Sequence, residues 1–172
     1  MATPLPPLHS VANRPPRLDH AHYIGPARYF LTICTRNRRP LFQNPHVAEL
    51  ARDQLLRGPE EQQFAVLAYC FMPDHVHLLA EAQAHTSDLL RFARTWKQRS
   101  AVCVRAAIDA DLWQDGFYDH VLRREEDSLG IAAYIVANPV RAGLVKSVTE
   151  YSYSGSSLYS LHELAEISPR RN

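Results

Sequence analysis

The stretch Phe64-Ala65-Val66-Leu67-Ala68-Tyr69-Cys70-Phe71-Met72-Pro73-Asp74-His75-Val76-His77-Leu78-Leu79-Ala80-Glu81 decides the fold. Phe64 to Phe71 is apolar on both faces of a two-residue period, so it reads as a strand buried on both sides and central in a sheet. Met72-Pro73-Asp74 turns the chain, and His75 to Glu81 returns as the next strand. Residues i and i+2 of a strand share a face. His75 and His77 therefore project side by side, while Val76 and Leu78 face a core. Two imidazoles on a rigid strand make half of a metal site. Such a pair also occurs as a plain polar face, so a second element has to decide between the two.

Outward from this hairpin, Tyr29 to Arg36 is rich in aromatic and β-branched residues and reads as a strand. Pro45 to Leu56 reads as a helix, with Asn44 as N-cap, Pro45 at its first position and Gly58-Pro59 as its stop. Thr86 or Ser87 caps a long helix whose buried stripe is Leu89, Phe92, Trp96, Ser100, Cys103 and Ala107. Arg91, Arg94, Gln98 and Arg105 lie on a different face of it. Phe117 to Arg123 is a fourth strand. Asp127 and Ser128 suit the start of a last helix, along which Leu129, Ala132, Ala133 and Val136 form the apolar stripe. Pro139 ends that helix near Asn138. Tyr134 and Asn138 are one turn apart on a common face, so a phenol oxygen and an amide oxygen could reach one metal-bound phosphate. A boundary tyrosine and a helix-end asparagine would look the same. The order of strand, helix, strand, strand, helix, strand, helix predicts an α+β, ferredoxin-like sandwich with a central four-stranded antiparallel sheet and helices packed on it.

At 172 residues the chain fits one domain with a real core. It divides into a flexible Pro-rich arm over 1–27, a main domain over 28–145 that holds the histidine pair and Tyr134, and a tail over 146–172. Tyr151, Tyr153 and Tyr159 in that Ser-rich tail read as surface contacts. The formal net charge of +1 announces no nucleic-acid binder, but arginine supplies 17 of the 19 basic residues. Arginine gives planar, bidentate phosphate contacts. Cys34, Cys70 and Cys103 are widely spaced within apolar runs, which suits reduced thiols in a cytoplasmic protein. No apolar run approaches membrane-spanning length, so no membrane partner is expected.

Several segments, in order, carry a resemblance: Tyr29 to Phe42; Met72-Pro73-Asp74-His75-Val76-His77-Leu78-Leu79; Leu112-Trp113-Gln114; Tyr118 to Arg123; and Tyr134-Ile135-Val136-Ala137-Asn138-Pro139-Val140-Arg141-Ala142-Gly143-Leu144-Val145. The chain resembles the HUH single-tyrosine transposases, most closely the REP-associated tyrosine transposases, between residues 28 and 157. The resemblance implies the same sandwich fold. It implies that Tyr134 attacks a scissile phosphate of single-stranded, hairpin-forming DNA, leaving a 5′-phosphotyrosine and a free 3′-hydroxyl. It further implies that His75 and His77 hold Mg²⁺ or Mn²⁺, with Asn138 as third ligand. Insertion-sequence relatives tend to carry glutamine there, and asparagine is one methylene shorter. DNA contacts are expected from Arg36, Arg91, Arg94, Arg123 and Trp113, although Trp113 serves a core equally well. The expected setting is the cytoplasm, in association with the nucleoid. The tyrosine helix of the wider family acts within a subunit or across a homodimer, and both arrangements stay open.

The chemistry is self-consistent. A phosphodiester is anionic, and a divalent cation neutralises its oxygens. Two histidines and one oxygen ligand leave positions for phosphate and water, as a catalytic site needs. A tyrosine with an intrinsic pKa of about 10 needs help to attack. Tyr118, in a Tyr-x-His pair with His120, is the reserve nucleophile; Asp74 reads as a turn residue. Two other classes compete: a domesticated protein that binds structured DNA or RNA without cutting, and a phosphohydrolase that uses water. Intact His75, His77, Tyr134 and Asn138 argue against the first, and a covalent adduct would separate the second.

Overall fold

The structure, a computed structural model, describes residues 19–123 and 127–167. Strands β2 (Phe64–Met72) and β3 (His75–Ala82) pair antiparallel, with Met72 opposite His75 and Cys70 opposite His77. Strand β1 (Arg28–Cys34) flanks β3, and β4 (Tyr118–Val121) flanks β1. A register shift in β2 between Val66 and Ala68 reverses the strand's alternation. Phe64, Val66, Tyr69 and Phe71 then face one core, while Leu67, Ala68, Cys70 and Met72 face the other.

The sheet has five strands in the order β4-β1-β3-β2-β5, which corrects the expectation of four. Strand β5 (Ser154–Gly155) pairs with Tyr69 and Cys70 of β2. Two residues carry no hydrophobic period, so pattern alone does not find such a strand. Its neighbours complete the cover of the β2 edge. Phe71 N–H donates to Tyr153 O at 2.9 Å, the Tyr151 hydroxyl to Phe71 O at 2.6 Å and the Ser157 hydroxyl to Val66 O at 2.6 Å. Tyr151 and Tyr153 thus belong to the sheet's margin.

Helices α1 (Pro45–Arg57) and α2 (Leu89–Ile108) cover the face that presents Leu31, Ile33, Val76 and Leu78. The Asn44 side chain caps α1 by accepting from His46 N–H, with Pro45 in the first turn. Helix α2 is capped by Asp88, which accepts from Arg91 N–H, and not by Thr86 or Ser87. Ser87 is occupied elsewhere, donating to Gln63 O. The buried side of α2 runs Leu89, Phe92, Trp96, Ser100, Val104, so it steps to Val104 where Cys103 and Ala107 were expected. Two indoles set this rotation. Trp96 N–H donates to Ala51 O at 3.0 Å, and Trp113 N–H donates to the Ser100 hydroxyl at 2.9 Å.

Helices α3 (Ser128–Val136), α4 (Asn138–Arg141) and α5 (Leu161–Ile167) complete the chain. α3 and α5 pack on the opposite sheet face with Phe30, Cys70 and Leu79. Asp127, not Ser128, is the N-cap of α3 and accepts from Leu129 N–H. α3 stops at Val136 with Ala137 as its C-cap, near Asn138 as Pro139 suggested, but Asn138 then opens the short α4, with Pro139 in its first turn. Part of the expected arm is anchored to the domain, beginning with Tyr23. Tyr23 is buried and its hydroxyl donates to Asp119 at 2.8 Å, and Gly25 N–H donates to Ser87 O. The rest of the expected arm, 1–18 with Arg14 and Arg17, lies outside the described residues. The three cysteines are free, and burial pushes the Cys70 thiol far up, so it is inert. Among the described residues no helix is long and apolar enough to cross a membrane.

Candidate active site

His75 and His77 leave β3 on the α3 side of the sheet. The strand registers align Cys70, His77, Thr32 and Tyr118 in one row across β2, β3, β1 and β4. His77 is only 1% exposed, with Phe30 stacked on its ring at 5.6 Å. Its Nδ1 lies 3.0 Å from the Thr32 hydroxyl. His75 Nδ1 lies 2.6 Å from Asp74 Oδ1, and Arg38 Nε donates to the other Asp74 oxygen at 2.9 Å. Asp74 therefore does more than turn the chain. The two Nε2 atoms stand 3.1 Å apart.

Proton positions follow from this network. An ionised Asp74 only accepts, so His75 Nδ1 carries a proton and its Nε2 presents a lone pair. Without a cation, His77 Nε2–H donates to that lone pair and the Thr32 hydroxyl donates to His77 Nδ1. If the Thr32 hydroxyl rotates to accept, the His77 proton moves to Nδ1 and both Nε2 lone pairs converge. That is the outer-shell pattern of metal-binding histidines, each held through its other nitrogen. Two nitrogens bound side by side to an octahedral cation at about 2.1 Å lie about 3.0 Å apart, so the spacing suits one shared ion. Burial first, then repulsion from His75 whenever that ring is itself protonated, and from Arg141 and Arg38, hold the His77 imidazole well below its usual range. It is neutral near pH 7, the form that ligates. Among the described residues no three His, Cys, Asp or Glu gather as a ligand set. Asn138, the third ligand that the resemblance implies, is of another residue type.

Tyr134 is half-buried on α3, the helix over this same sheet face. Its hydroxyl accepts from Arg141 Nη2 at 3.0 Å. Asn138 Nδ2 donates to Tyr134 O and Ile135 O, both at 3.1 Å, and so closes the end of α3. The amide oxygen, the atom that could ligate, takes no part in this cap. Tyr118 lies in the histidine row, but burial, then Asp119, raises its phenol. His120 sits two residues on, opposite Phe30.

Arg36, Arg91, Arg94 and Trp113 line one groove of about 650 Å³, together with Gln114 and Phe117. This groove runs beside α2, on the other side of the sheet from the histidines. Trp113 is its floor: buried, donating to Ser100 and packed on Phe42 and Trp96. Arg123 follows β4, is exposed and does not line the groove. Thr32, Arg38 and Arg141 were not singled out from sequence. Arg141 follows Tyr134 by seven residues, two helical turns, which is a usable signal. Arg38 had none, because its position depends on consecutive left-handed residues, Asn37 at φ 53° and Arg38 at φ 55°.

Residues 25–138 match the family described as "Transposase IS200 like". The chain is 26% identical to the REP-associated tyrosine transposase of Escherichia coli K12, over 77% of this chain and 78% of that protein. It superposes with a TM-score of 0.65 and 26% identity on the solved structure of a REP-associated tyrosine transposase bound to a REP hairpin, covering 77% and 78% of the two chains. A Deinococcus radiodurans R1 structure at 21% identity, with a TM-score of 0.50 over 71% of this chain and 88% of that one, shares the fold. The matched residues span most of the sheet, both histidines, Tyr134 and Asn138, and the chain belongs to the IS200-like transposase family.

Proposed function

We propose that the protein is a metal-dependent single-stranded DNA endonuclease and strand-transferase acting at hairpin-forming repeats. The observation that carries this reading is the convergence of His75 and His77 Nε2, each ring held through its Nδ1, beneath the helix that bears Tyr134. His75, His77 and the Asn138 amide oxygen would hold Mg²⁺ or Mn²⁺, which when bound neutralises phosphate oxygens and polarises phosphorus. The Tyr134 oxygen attacks the phosphorus of the scissile diester. The Oη–P bond forms, the P–O3′ bond breaks, and the proton given up by the phenol is matched by one taken up at O3′. A 5′-phosphotyrosine keeps the diester energy for rejoining, which hydrolysis would discard.

The relative bound to a REP hairpin supports hairpin DNA as the substrate class. Arg36, Arg91 and Arg94 along the α2 groove, with Arg123 beyond β4, would contact phosphates. α3 packs on its own sheet, which favours attack within one subunit. The reaction belongs in the cytoplasm, where chromosomal DNA is the substrate.

The test uses wild type and Tyr134→Phe with end-labelled hairpin DNA from the sequence flanking the coding region, plus Mn²⁺, followed by denaturation. Wild type is expected to keep label through a denaturant-resistant bond, and the variant none. An adduct on Tyr134→Phe that disappears in Tyr118→Phe would move the nucleophile to β4. Binding without any adduct would favour the non-cleaving alternative.

A further inference from the structure

Arg141 has no assigned part in the chemistry, yet two independent contacts tie it to Tyr134. Its Nη2 donates to the Tyr134 hydroxyl at 3.0 Å, and its Cζ sits 4.0 Å from the centre of the same ring. The guanidinium thus sits over the phenol ring and bonds its oxygen at once. A five-donor group with a broad delocalised charge can do both; an ammonium is a point charge that serves one contact at a time. The main chain reinforces the pairing. Asn138 ties the end of α3 to the start of α4, and Arg141 N–H and Ala142 N–H donate to Ala137 O and Asn138 O. The side chain of Arg141 is otherwise exposed, so packing does not explain its pose.

We propose that Arg141 is the positioning residue of the nucleophile: it clamps the Tyr134 ring and aims its oxygen across the histidine face of the sheet. This rests on Tyr134 being the nucleophile. A phenol rotates about two side-chain bonds, and the Tyr134 side chain is only half-buried, with the guanidinium over its ring. Release from the clamp spreads the oxygen over several positions, and a misplacement of about 1 Å can cost about 100-fold in rate. The consequence falls on the attacking step and not on DNA affinity, because Arg141 acts through Tyr134.

The experiment measures the rate of covalent adduct formation at saturating hairpin DNA with Mn²⁺, and hairpin Kd by anisotropy with Ca²⁺ in place of Mn²⁺. It compares wild type, Arg141→Lys, Arg141→Met and Arg141→Ala, each checked by its melting temperature. Arg141→Met keeps the apolar stem and is expected to lose about 10- to 100-fold in rate with Kd within about 3-fold of wild type. Arg141→Lys falls between the two. Guanidinium chloride at tens of millimolar restores several-fold activity to Arg141→Ala, whereas equal NaCl does not, and neither rescues Tyr134→Phe. A merely structural arginine would not be replaced by a free guanidinium ion. An Arg141→Met rate equal to wild type, a loss confined to Kd, or absence of guanidinium rescue overturns the proposal and leaves the nucleophile reading intact. A wild type that forms no adduct overturns both.

Discussion

At the scale of single residues, the site turns on one hydroxyl. Thr32 faces His77 Nδ1 from β1 and can either donate to it or accept from it. Only the accepting state leaves the His77 Nε2 lone pair available beside that of His75. Asp74, by contrast, fixes the tautomer of His75 in one sense only. Thr32→Val keeps the shape and removes the choice. It also leaves a buried imidazole nitrogen without its partner, which costs about 1–3 kcal/mol in stability. Loss of an outer-shell partner typically weakens metal affinity by about 10- to 100-fold. Calorimetric titration with Mn²⁺ in the absence of DNA is expected to show that weakening, with the melting temperature lowered but the unfolding still cooperative. Mn²⁺ affinity equal to wild type would mean that Thr32 does not govern the tautomer.

At the scale of elements, the most consequential addition to the sheet is its shortest strand. β5 closes on β2 so tightly that a methyl group at Gly155 would stand 2.7 Å from Tyr69 Oη and 2.9 Å from its Cζ. Tyr69 is buried and its ring is rigid, so the strand or the ring has to move. Gly155→Ala is expected to destabilise the protein by about 1–3 kcal/mol, as overpacking does, measured by urea unfolding at pH 7. A midpoint equal to that of wild type would show that β5 yields without cost. The same element marks where sequence stops being informative. Three strands and three helices were legible because each buries a face, and burial writes a period of two or of three to four into the chain; β4, half-buried along its whole length, was legible from the aromatic and β-branched residues Phe117, Tyr118 and Val121. β5 is buried at both positions, but a serine and a glycine write no apolar period, and the strand borrows the edge of a neighbour. The end of α3 was half legible: Pro139 signalled a boundary, but the Asn138 amide that closes one helix and opens the next is a tertiary detail. In the site, the i, i+2 spacing was enough to put His75 and His77 on one face. The partners of their Nδ1 atoms were not readable, since Thr32 comes from another strand and Arg38 from a left-handed turn.

At the scale of the whole molecule, a formal charge of +1 on 172 residues has to be reconciled with the polyanionic substrate proposed for the protein. Global attraction is negligible, so affinity must come from local clusters of arginine. Arg36, Arg91 and Arg94 line one groove, and the charge there is partly offset: Asp115 lies 3.8 Å from Arg36 and Asp88 caps the same helix. Few phosphates can be neutralised at once. The expectation is therefore a binding constant that falls with salt along a shallow line, with a slope of about −0.7 for each phosphate of a single strand released from its counterions. Arg91→Ala and Arg94→Ala are each expected to flatten that slope by about one such step and to weaken all DNA sequences alike, as the loss of a contact to phosphate and not to a base would. Discrimination must then come from the shape of the DNA. Hairpins from the flanking DNA are expected to bind more tightly than random duplex of equal length, since single-stranded segments can bend into the groove and a stiff duplex cannot. Anisotropy titrations at several salt concentrations measure both quantities. Equal affinity for duplex and hairpin, or a slope unchanged by either arginine substitution, would move the DNA to another face of the protein.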